Sequence, residues 1–434
     1  MTTATELTPS TVAAVVLAAG RGERLRSEQP KVLHRVGGRP LVSWVVQAAR
    51  EVGCAPICVV VGSGADRVRS VLEDEDAGAG DIVWVEQAEQ RGTAHALSTA
   101  RGALPSEGLV LVLPGDTPLV RPATLRALLE AAGAGWGSLA VAGEDALEPC
   151  SVNAGHYALP VPEIFKWLEK VDPGNAQGGS RLTDAVSAAA REHPVAAVRV
   201  EDASEVLRVD SRADLAAVQR VVYRRGVEAL LAAGVTVLDP ESVWLDAGVT
   251  VGADSVLHPN VTLLGASSVG SGCTVHTGAW IRDSVLDDGV EVLPYSVLDG
   301  ARVASDCTIG PFARLRPEAV LEDGARVGNF VEVKKATLGP GVKASHLAYL
   351  GDASVGAGAN IGAGVITCNY DGKKKSRTVI GEGAFVGSDC ILVAPVEVGA
   401  GAYTGAGSVI TKDVPEETLA VGRARQKNIK RRPR

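Results

Sequence analysis

The 434-residue sequence is poor in several kinds of residue, and each shortage argues against a class of protein. Aromatic residues make up only 4% of the chain, which leaves few large side chains for a conventional core. No apolar run approaches the ~20 residues of a membrane-spanning helix, so we expect no membrane partner. The opening MTTATELTPS lacks the basic start and apolar stretch of a signal peptide. A net charge of −8 argues against a nucleic-acid partner.

Cysteine is also scarce, and its spacing argues against metal-binding and disulfide frameworks. The sequence contains no Cys-x-x-Cys pair and an odd total of seven scattered cysteines: Cys54, Cys58, Cys150, Cys273, Cys307, Cys368 and Cys390. This usage is typical of small buried side chains in a reducing compartment. We therefore expect a cytoplasmic protein.

Segments that read as strands and helices alternate over the first half of the chain, whose length allows two or three domains. The strand-like segments are TVAAVVLAAG, APICVVVGSG, DIVWVEQA and GLVLVLPGDTPLV, and PLVSWVVQAAREVG has helical periodicity. This alternation predicts an open, mostly parallel α/β sheet over residues 1–211. Apolar residues then recur every three to four positions in ADLAAVQRVVYRRGVEALLAAGV, which predicts a linker helix over residues 212–234.

A six-residue repeat begins after Val235 and uses much of the chain's glycine, of which there are 50 residues. Two series are regular: Val251, Leu257, Leu263, Val269, Val275, Ile281 and Val303, Ile309, Leu315, Leu321, Val327, Val333. Three such hexads close one triangular coil, so the period predicts a left-handed parallel β-helix over residues 235–434. An all-β sandwich of short strands is the alternative. The repeat slips between Val333 and Leu350 and again around TCNYDGKKKSRTV, where we expect loops and a binding face.

Polar side chains gather near these slips. They are cations, amides, a tyrosine and an imidazole, within ARLRP, NFVEVKKA, SHLAYLGD, ANIGAG and TCNYDGKKK. Each is unremarkable alone, since a single histidine is usually a structural residue. Together they indicate a site for an anionic sugar.

The motifs GPFARLRP, GNFVEVKKA, HLAYLGD, NIGAGVITCNYDGKKK and VGSDCILVAPVEVGAGAYTGAG carry a resemblance. They resemble the C-terminal half of the bifunctional bacterial enzymes that make UDP-N-acetylglucosamine. That family combines glucosamine-1-phosphate acetyltransferase and N-acetylglucosamine-1-phosphate uridyltransferase activities. The resemblance implies a homotrimer whose acetyl-transfer sites are built from neighbouring subunits.

The resemblance also implies roles for residues of the β-helix. His346 would be the general base, which suits an imidazole because an amine attacks a thioester only after its proton has a neutral-range acceptor. The sugar phosphate would be held by Arg316, Lys334, Tyr349, Asn360 and Lys375. Acetyl-CoA would be held by Ala363, Asn369, Tyr370, Ser388, Ala406 and Arg423. The basic tail GRARQKNIKRRPR is a solvated segment or a contact for CoA phosphates, and lacks the aromatic residues typical of nucleic-acid binding.

A glycine-rich loop in VVLAAGRGERLRSEQPKVLH follows the first predicted strand. It lacks the third glycine of a dinucleotide fingerprint and offers Arg24 and Lys31, two cations suited to a triphosphate. With PKVLH, the loop resembles that of sugar nucleotidyltransferases, which implies a Rossmann-like fold and UTP as co-substrate. Arg24 and Lys31 would then be catalytic. The nucleotide and sugar would be bound by Leu17, Ala18, Ala19, Gly20, Lys31, Gln87, Gly92, Thr93 and Asn153.

Asp116 in LPGDTPL ends a predicted strand, where α/β sheets bind ligands. The resemblance implies that Asp116 and Asp210 bind Mg²⁺, with Asp210 replacing the asparagine of the family. Three further differences concern the same pocket. Glu23 adds a negative charge to the loop, a segment with sugar-binding residues is missing after residue 149, and GNAQGGSRLTD lacks an acidic–aromatic pair.

Three functions remain open at this point. The first is a bifunctional enzyme that acetylates glucosamine-1-phosphate and couples the product to UTP. The second is an acetyltransferase with a degenerate nucleotidyltransferase domain that serves as a scaffold. The third is a β-helical structural subunit, which would leave the polar cluster around His346 unexplained.

Overall fold

A computed structural model describes residues 12–75, 79–141, 152–170 and 180–431. The chain divides into two compact units, Met1–Val222 and Tyr223–Arg434. The first is an α/β domain and the second is a β-helix, as the sequence predicts.

The first unit is built on a seven-stranded sheet. In chain order its strands are β1 (Val12–Leu17), β2 (Ile57–Val61), β3 (Ile82–Glu86), β4 (Gly108–Pro114), β5 (Trp136–Val141), β6 (Val152–Val161) and β7 (Val195–Arg199). Their order in the sheet is β3-β2-β1-β4-β6-β5-β7. Only β6 runs antiparallel to its two neighbours. The predicted sheet is confirmed, with three more strands than the sequence indicated.

Helices cover both surfaces of this sheet. They are α1 (Leu41–Glu51), α2 (Ala65–Glu75), α3 (Thr93–Thr99), α4 (Pro122–Ala132), α5 (Glu163–Leu168) and α6 (Leu182–Ala189). Short 3-10 turns lie at Glu23–Leu25, Lys31–Leu33, Ala79–Asp81, Ala100–Ala103 and Ala203–Val206, and a small hairpin joins Arg35–Val36 to Arg39–Pro40. Alternate residues of β1 enter different cores, since Val16 packs with residues of α1, α2 and α4 whereas Val15 packs with residues of α3, α5 and α6. A long helix, α7 (Arg212–Ala232), follows.

The second unit is a parallel β-helix with three faces. Face 1 contains Thr236–Val237, Val256–Leu257, Thr274–Val275, Glu291–Val292, Thr308–Ile309, Arg326–Asn329, Lys343–His346, Asn360–Ile361, Phe385–Val386, Tyr403–Thr404 and Leu419–Ala420. Face 2 contains Trp244–Leu245, Thr262–Leu264, Trp280–Arg282, Val297–Asp299, Arg314–Leu315, Glu332–Lys334, Tyr349–Gly351, Ile366–Cys368, Ile391–Val393 and Val409–Ile410. Face 3 contains Thr250–Val251, Ser268–Val269, Val285–Leu286, Arg302–Val303, Val320–Leu321, Thr337–Leu338, Ala353–Val355, Thr378–Ile380 and Val396–Val398.

The hexad positions form the interior of this coil. Every member of both predicted series is buried, and together with alanine and cysteine side chains they make one continuous core. The two slips differ in kind. At the first, Val333 and Leu338 are both buried at a spacing of five, so the coil is one residue shorter and has no inserted loop. At the second, Asn369–Arg377 form a true insertion. Ala353 pairs with Thr378, so the coil between these two residues contains an extra loop.

Large apolar side chains lie outside the coil, along the corner between faces 1 and 2. Tyr295, Phe312, Phe330 and Leu347 are 48 to 60% exposed and occupy successive coils. The three rings stack with centroids 5.6 and 5.3 Å apart. All four residues have a left-handed backbone, with φ between 51° and 59°. We call these four residues the aromatic column.

The cysteines that the structure describes are free, and five of the six are buried. Burial raises the pKa of Cys54 to about 12 and those of Cys58 and Cys307 to about 11. Their thiols therefore behave as small apolar side chains, as the sequence predicts.

Candidate active sites

The first candidate site lies at the carboxyl ends of β1 and β4. These strands are neighbours in register, with Leu17 opposite Pro114, so the loops that follow them meet at one edge of the sheet. The loop after β1 folds back so closely that a Cβ on Gly22 would lie 2.6 Å from Lys31 Cβ. Gly22 also has φ of +68°, in the left-handed region. Glycine at this position therefore lets Lys31 reach the site.

A cavity of about 430 Å³ opens at this edge. It is lined by Leu17, Ala19, Gly20, Arg21, Gly22, Glu23, Arg24, Lys31, Val32, Gln87, Gln90, Gly92, Thr93, Ala96, Asp116, Arg208 and Asp210. Most of the residues predicted to bind nucleotide and metal are therefore together. Ala18 and Asn153 do not line it. Asn153 is exposed, and its side chain accepts a hydrogen bond from Gly155 N at 2.8 Å.

Two carboxylates and three cations meet in this cavity. Lys31 Nζ lies 2.5 Å from Asp116 Oδ2 and 2.5 Å from Asp210 Oδ1. Arg24 Nη2 lies 2.8 Å from Asp210 Oδ2, and Arg208 Nε lies 2.9 Å from Asp116 Oδ2. Lys31 is buried, whereas the Arg24 side chain is 74% exposed. The arrangement places fixed positive charge around the pair of predicted metal ligands.

The cations also determine the ionisation of Asp210. Burial by itself would raise the pKa of this carboxyl, but the hydrogen bond and charge of Lys31, with the charges of Arg208 and Arg24, outweigh it. The pKa of Asp210 is therefore below its ordinary value. A carboxylate that stays ionised at neutral pH is a competent ligand for a divalent cation.

The hydrogen-bonding capacity of the Asp116 carboxylate is not fully used by the described residues. One of its oxygens, Oδ1, is buried and has no hydrogen-bond partner among the described residues. The described part of the chain contains no group of three or more His, Cys, Asp or Glu side chains that could hold a metal ion. The Asp116–Asp210 pair therefore fits Mg²⁺ only if substrate and water oxygens complete the coordination, which is how proteins commonly bind this ion.

The residues predicted to contact the base lie on the opposite wall. Gln87 is buried, and its Nε2 donates to Gly92 O at 3.2 Å and lies 2.9 Å from His95 Nδ1. Gly92 has φ of +98°, and a Cβ there would lie 2.3 Å from Ser180 O. Thr93 begins α3, and its hydroxyl accepts a hydrogen bond from Leu182 N at 2.9 Å. These contacts fix the Gln87 amide at the cavity wall.

Sequence reasoning missed two residues at this site. Arg208 pairs with Asp116 across 92 residues of chain. His156 is fully buried, with Nε2 at 2.9 Å from the hydroxyl of Thr117, the residue after Asp116. Burial lowers the pKa of His156 to about 4, so the ring is neutral. The predicted sugar-side deletion and the GNAQGG segment lie outside the described residues.

The second candidate site follows a corner of the β-helix. Asn329 pairs with His346. In the next coils the paired face 1 strands end at Ile361, Val386 and Thr404, each two residues before Ala363, Ser388 and Ala406. Backbone hydrogen bonds link the coils, from Leu347 N to Asn329 O, Asp389 N to Ala363 O and Gly407 N to Ser388 O, at 2.7 to 2.9 Å. Arg423 lies near Gly407 on the following turn. The predicted base and four of the predicted acetyl-CoA residues therefore form one line.

The His346 imidazole is exposed and oriented by a neighbour. Its Nδ1 lies 2.8 Å from Asn329 Oδ1. An amide oxygen only accepts hydrogen bonds, so this contact places a proton on Nδ1, and in the neutral form of the ring the lone pair is then on Nε2. Sequence reasoning missed Asn329. The signal available was its spacing of 17 residues from His346, one short coil.

The predicted sugar-phosphate residues lie elsewhere on the coil. Arg316 follows a face 2 strand, and its backbone N donates to Val333 O at 2.8 Å, beside Lys334. Its guanidinium Nη1 lies 2.8 Å from Glu332 Oε1. Tyr349 begins a face 2 strand three residues after His346, and Asn360 begins a face 1 strand. Arg316 and Lys334 are thus at the edge of face 2 that is remote from His346.

The inserted loop contributes the remaining predicted residues. Asn369 is buried and its Nδ2 donates to Asp352, which fixes the base of the loop. Tyr370 is exposed and forms an antiparallel bridge with Lys375. Lys375 lines a groove of about 390 Å³ with Lys335, Asp352 and Arg377. A different groove, of about 470 Å³, is lined by His346, Asn329, Arg326 and others. One chain therefore does not gather the predicted acetyl-transfer residues into a single cavity.

No helix in the described ranges is long and apolar enough to span a membrane.

Three family models match the chain. The MobA-like NTP transferase domain matches residues 14–237, the GMPPB C-terminal domain matches 240–345, and the bacterial transferase hexapeptide (six repeats) matches 377–412. A solved nucleotidyl transferase from Methanothermobacter is 23% identical and covers 50% of this chain and 99% of its own, with a TM-score of 0.41. The predicted combination of a nucleotidyltransferase domain and a hexapeptide transferase domain is confirmed.

Curated relatives match almost the whole chain. The bifunctional protein GlmU of Anaeromyxobacter sp. (strain Fw109-5) is 48% identical over 96% of this chain and 91% of its own length. The bifunctional protein GlmU of Alkalilimnicola ehrlichii is 44% identical over 96% of this chain and 95% of its own length. With matches of this identity and extent to both of its halves, the chain belongs to the family of the bifunctional protein GlmU.

Proposed function

We propose that this bifunctional transferase acetylates glucosamine-1-phosphate with acetyl-CoA and then transfers a uridylyl group from UTP to N-acetylglucosamine-1-phosphate. The pairing of Lys31 with Asp116 and Asp210 at the carboxyl edge of the sheet carries the second reaction. The line from Asn329 and His346 to Ala406 carries the first. Membership of the family supports both.

Uridylyl transfer requires charge stabilisation around a triphosphate. A phosphate oxygen of the sugar phosphate attacks the α-phosphorus of UTP, the α–β bridging bond breaks, and pyrophosphate leaves. Arg24 and Lys31 lie where their positive charges would stabilise the pentavalent state and the departing pyrophosphate. The Gln87 amide, held by Gly92 O, faces the cavity as a reader of the uracil edge.

Mg²⁺ fits the Asp116–Asp210 pair, because one carboxylate oxygen is buried without a partner and both carboxylates are ionised or paired with cations. When bound there, the ion would offset phosphate charge. Asp116 and Asp210 would hold it, and Lys31 would move to the phosphate oxygens.

Acetyl transfer requires a base near the acceptor amine. The amine nitrogen attacks the thioester carbonyl, its proton passes to His346 Nε2, and the CoA thiolate leaves. The Asn329 contact supports this role because it selects the neutral tautomer whose lone pair is on Nε2. Ala363, Ser388 and Ala406 continue the same line and provide backbone for the acetyl-CoA chain.

The separation of the acetyl-transfer residues supports a homotrimer. Lys334 pairs with Gly351 at the end of a face 2 strand, whereas His346 ends a face 1 strand, and the corner at Leu347 and Ala348 lies between them. The groove that His346 lines contains neither Arg316 nor Lys334 of the same chain. We therefore infer that the base of one chain faces the Arg316 and Lys334 of a neighbouring copy, with Tyr349, Asn360 and Lys375 completing the sugar site.

The aromatic column supports the same assembly. Phe330 and Leu347 directly follow Asn329 and His346, so the exposed apolar column flanks the base. Contiguous exposed apolar surface of this kind marks association sites. A second copy packed on this corner would cover the column and close the His346 groove.

We further propose that Asn369, Tyr370 and Arg423 contact CoA, and that the protein works in the cytoplasm. The buried free thiols support a reducing compartment.

Two parallel assays test the proposal. With UTP, Mg²⁺ and N-acetylglucosamine-1-phosphate, the chain should release pyrophosphate, and with acetyl-CoA and glucosamine-1-phosphate it should release thiol. His346→Ala should abolish thiol release and leave pyrophosphate release unchanged, and Lys31→Met should do the reverse. Thiol release without pyrophosphate in the unmodified chain would contradict the first function and favour an acetyltransferase with a scaffold domain. Thiol release that survived His346→Ala would refute the assignment of the base.

A further inference from the structure

Arg208 occupies an unusual place in the first site. Its Nε lies 2.9 Å from Asp116 Oδ2, the same oxygen that Lys31 approaches at 2.5 Å. One carboxylate oxygen thus carries two cations, while Asp116 Oδ1 has no partner among the described residues. Because both cations contact Oδ2 and Oδ1 has no partner among the described residues, Asp116 can accept a further ligand.

The backbone fixes this placement. Val209 N donates to Asp116 O at 3.0 Å, which joins the segment before α7 to the loop after β4. In an extended segment, side chains two apart point the same way, so Arg208 and Asp210 both face Asp116 and Lys31. The charge pair is therefore a consequence of the chain path and is independent of any flexible contact.

We propose that Arg208 is a displaceable counter-ion of Asp116, which makes binding of the divalent cation depend on the nucleotide. In the free chain Arg208 and Lys31 neutralise the carboxylates. When the triphosphate enters, its oxygens draw both cations away and supply the missing metal ligands. Metal and nucleotide therefore bind together. This inference rests on the proposed uridylyl transfer.

The charges and the burial support this exchange. The Arg208 side chain is 54% exposed, so its guanidinium can move into solvent or onto a phosphate, whereas the Asp116 side chain that it leaves is 8% exposed and would take the metal ion as its new partner. The two carboxylates supply only part of a coordination shell, since the described residues contain no set of three or more ligating side chains, so metal binding by the free chain should be weak and should be strengthened by phosphate oxygens. Arg208 lines the same cavity as Arg24 and Gly20, so a released guanidinium remains within reach of phosphate.

The experiment uses Mn²⁺ as a spectroscopic substitute for Mg²⁺ and the full-length chain. The affinity of the free chain for Mn²⁺ is measured by electron paramagnetic resonance for the unmodified protein and for Arg208→Gln. Loss of a unit positive charge beside the site should tighten Mn²⁺ binding by about tenfold. UTP binding is measured separately by equilibrium dialysis with and without Mn²⁺, and should tighten when the metal is present.

Arg21→Gln is the matched control. Arg21 is exposed and lines the same cavity, and no ion pair of the described residues joins it to either carboxylate. This variant should change the Mn²⁺ affinity of the free chain by less than twofold. Equal affinities for Arg208→Gln and the unmodified chain, with UTP binding intact, would overturn the role of Arg208 and leave the proposed function standing. Failure of the unmodified chain to bind UTP at all would overturn both.

Discussion

Single hydrogen bonds orient one histidine at each candidate site. Asn329 Oδ1 holds the proton of His346 on Nδ1, and Thr117 places His156 behind Asp116. Neither Asn329 nor His156 was identified from sequence, because each acts through a partner that the fold, rather than local sequence, supplies. His156 and Thr117 are 39 residues apart.

Asn329→Ala should lower kcat for thiol release roughly ten- to a hundredfold, because the imidazole loses the contact that selects its tautomer and orientation. The KM for acetyl-CoA should stay within twofold. Steady-state kinetics of the acetyl transfer measure both. Asn329→Asp retains an acceptor and should keep most of the activity. A raised KM with unchanged kcat would show that Asn329 binds substrate instead.

His156 should make the first unit less stable in acid. Its pKa is lowered to about 4 from 6.5, so the unfolded chain binds a proton that the folded chain excludes between these values. The resulting stability is complete above pH 6.5 and is lost as the pH falls toward 4. Urea unfolding should show a loss of roughly 2 kcal/mol between pH 7.5 and pH 5 from this group. His156→Gln should remove that part of the pH dependence, and an unchanged dependence would contradict the assignment.

At the scale of elements, the loop after β1 depends on one glycine. Gly22 combines a left-handed backbone with close approach to Lys31, and both conditions exclude a Cβ. The sequence motif predicts a phosphate-binding loop, and in the structure its glycine allows the close approach of a lysine.

Gly22→Ala should reduce pyrophosphate release more than tenfold, because the added Cβ displaces Lys31 and costs about 1 kcal/mol of backbone strain. Thiol release should be unaffected. The two assays described above measure the effect. Gly102→Ala is the control, since a Cβ on Gly102 would meet no atom within 4 Å. Normal pyrophosphate release by Gly22→Ala would show that Lys31 tolerates the shift.

The β-helix was predictable from sequence because each hexad places one apolar residue inward, and that local rule repeats across the unit. Val251 and Val333 are buried for the same reason. The first slip was misread as a loop, since a coil shortened by one residue and a coil with an insertion both disturb the period. The charge pairs at Asp116 were only partly predictable. Asp116 and Lys31 lie in local motifs, but the role of Arg208 depends on its contact with Asp116, which is 92 residues away in the chain.

At the scale of the whole molecule, the aromatic column connects assembly with activity. The proposed acetyl-transfer site needs residues of a neighbouring copy, whereas the uridylyl site lies within one unit. The two activities should therefore respond differently when the chains separate.

Replacing Phe312 and Phe330 together by serine should dissociate the proposed trimer, because stacked apolar rings would no longer be available to a second copy. Sedimentation velocity should show one chain in place of three. Thiol release should be lost with the trimer, while pyrophosphate release should persist. Leu238→Ser, at another exposed apolar residue, should leave the assembly intact. A trimer that survived the double replacement would place the interface elsewhere.

Three of the four phenylalanines, Phe312, Phe330 and Phe385, lie on the outside of the coil, and the continuous core of the coil contains no aromatic ring. Because the core of the coil holds no aromatic ring, these large apolar side chains lie on its surface. A newly synthesised chain would therefore expose the aromatic column until it bound another copy. If the proposed trimer covers this surface, the fraction of chains that leave it exposed should fall as the protein concentration rises.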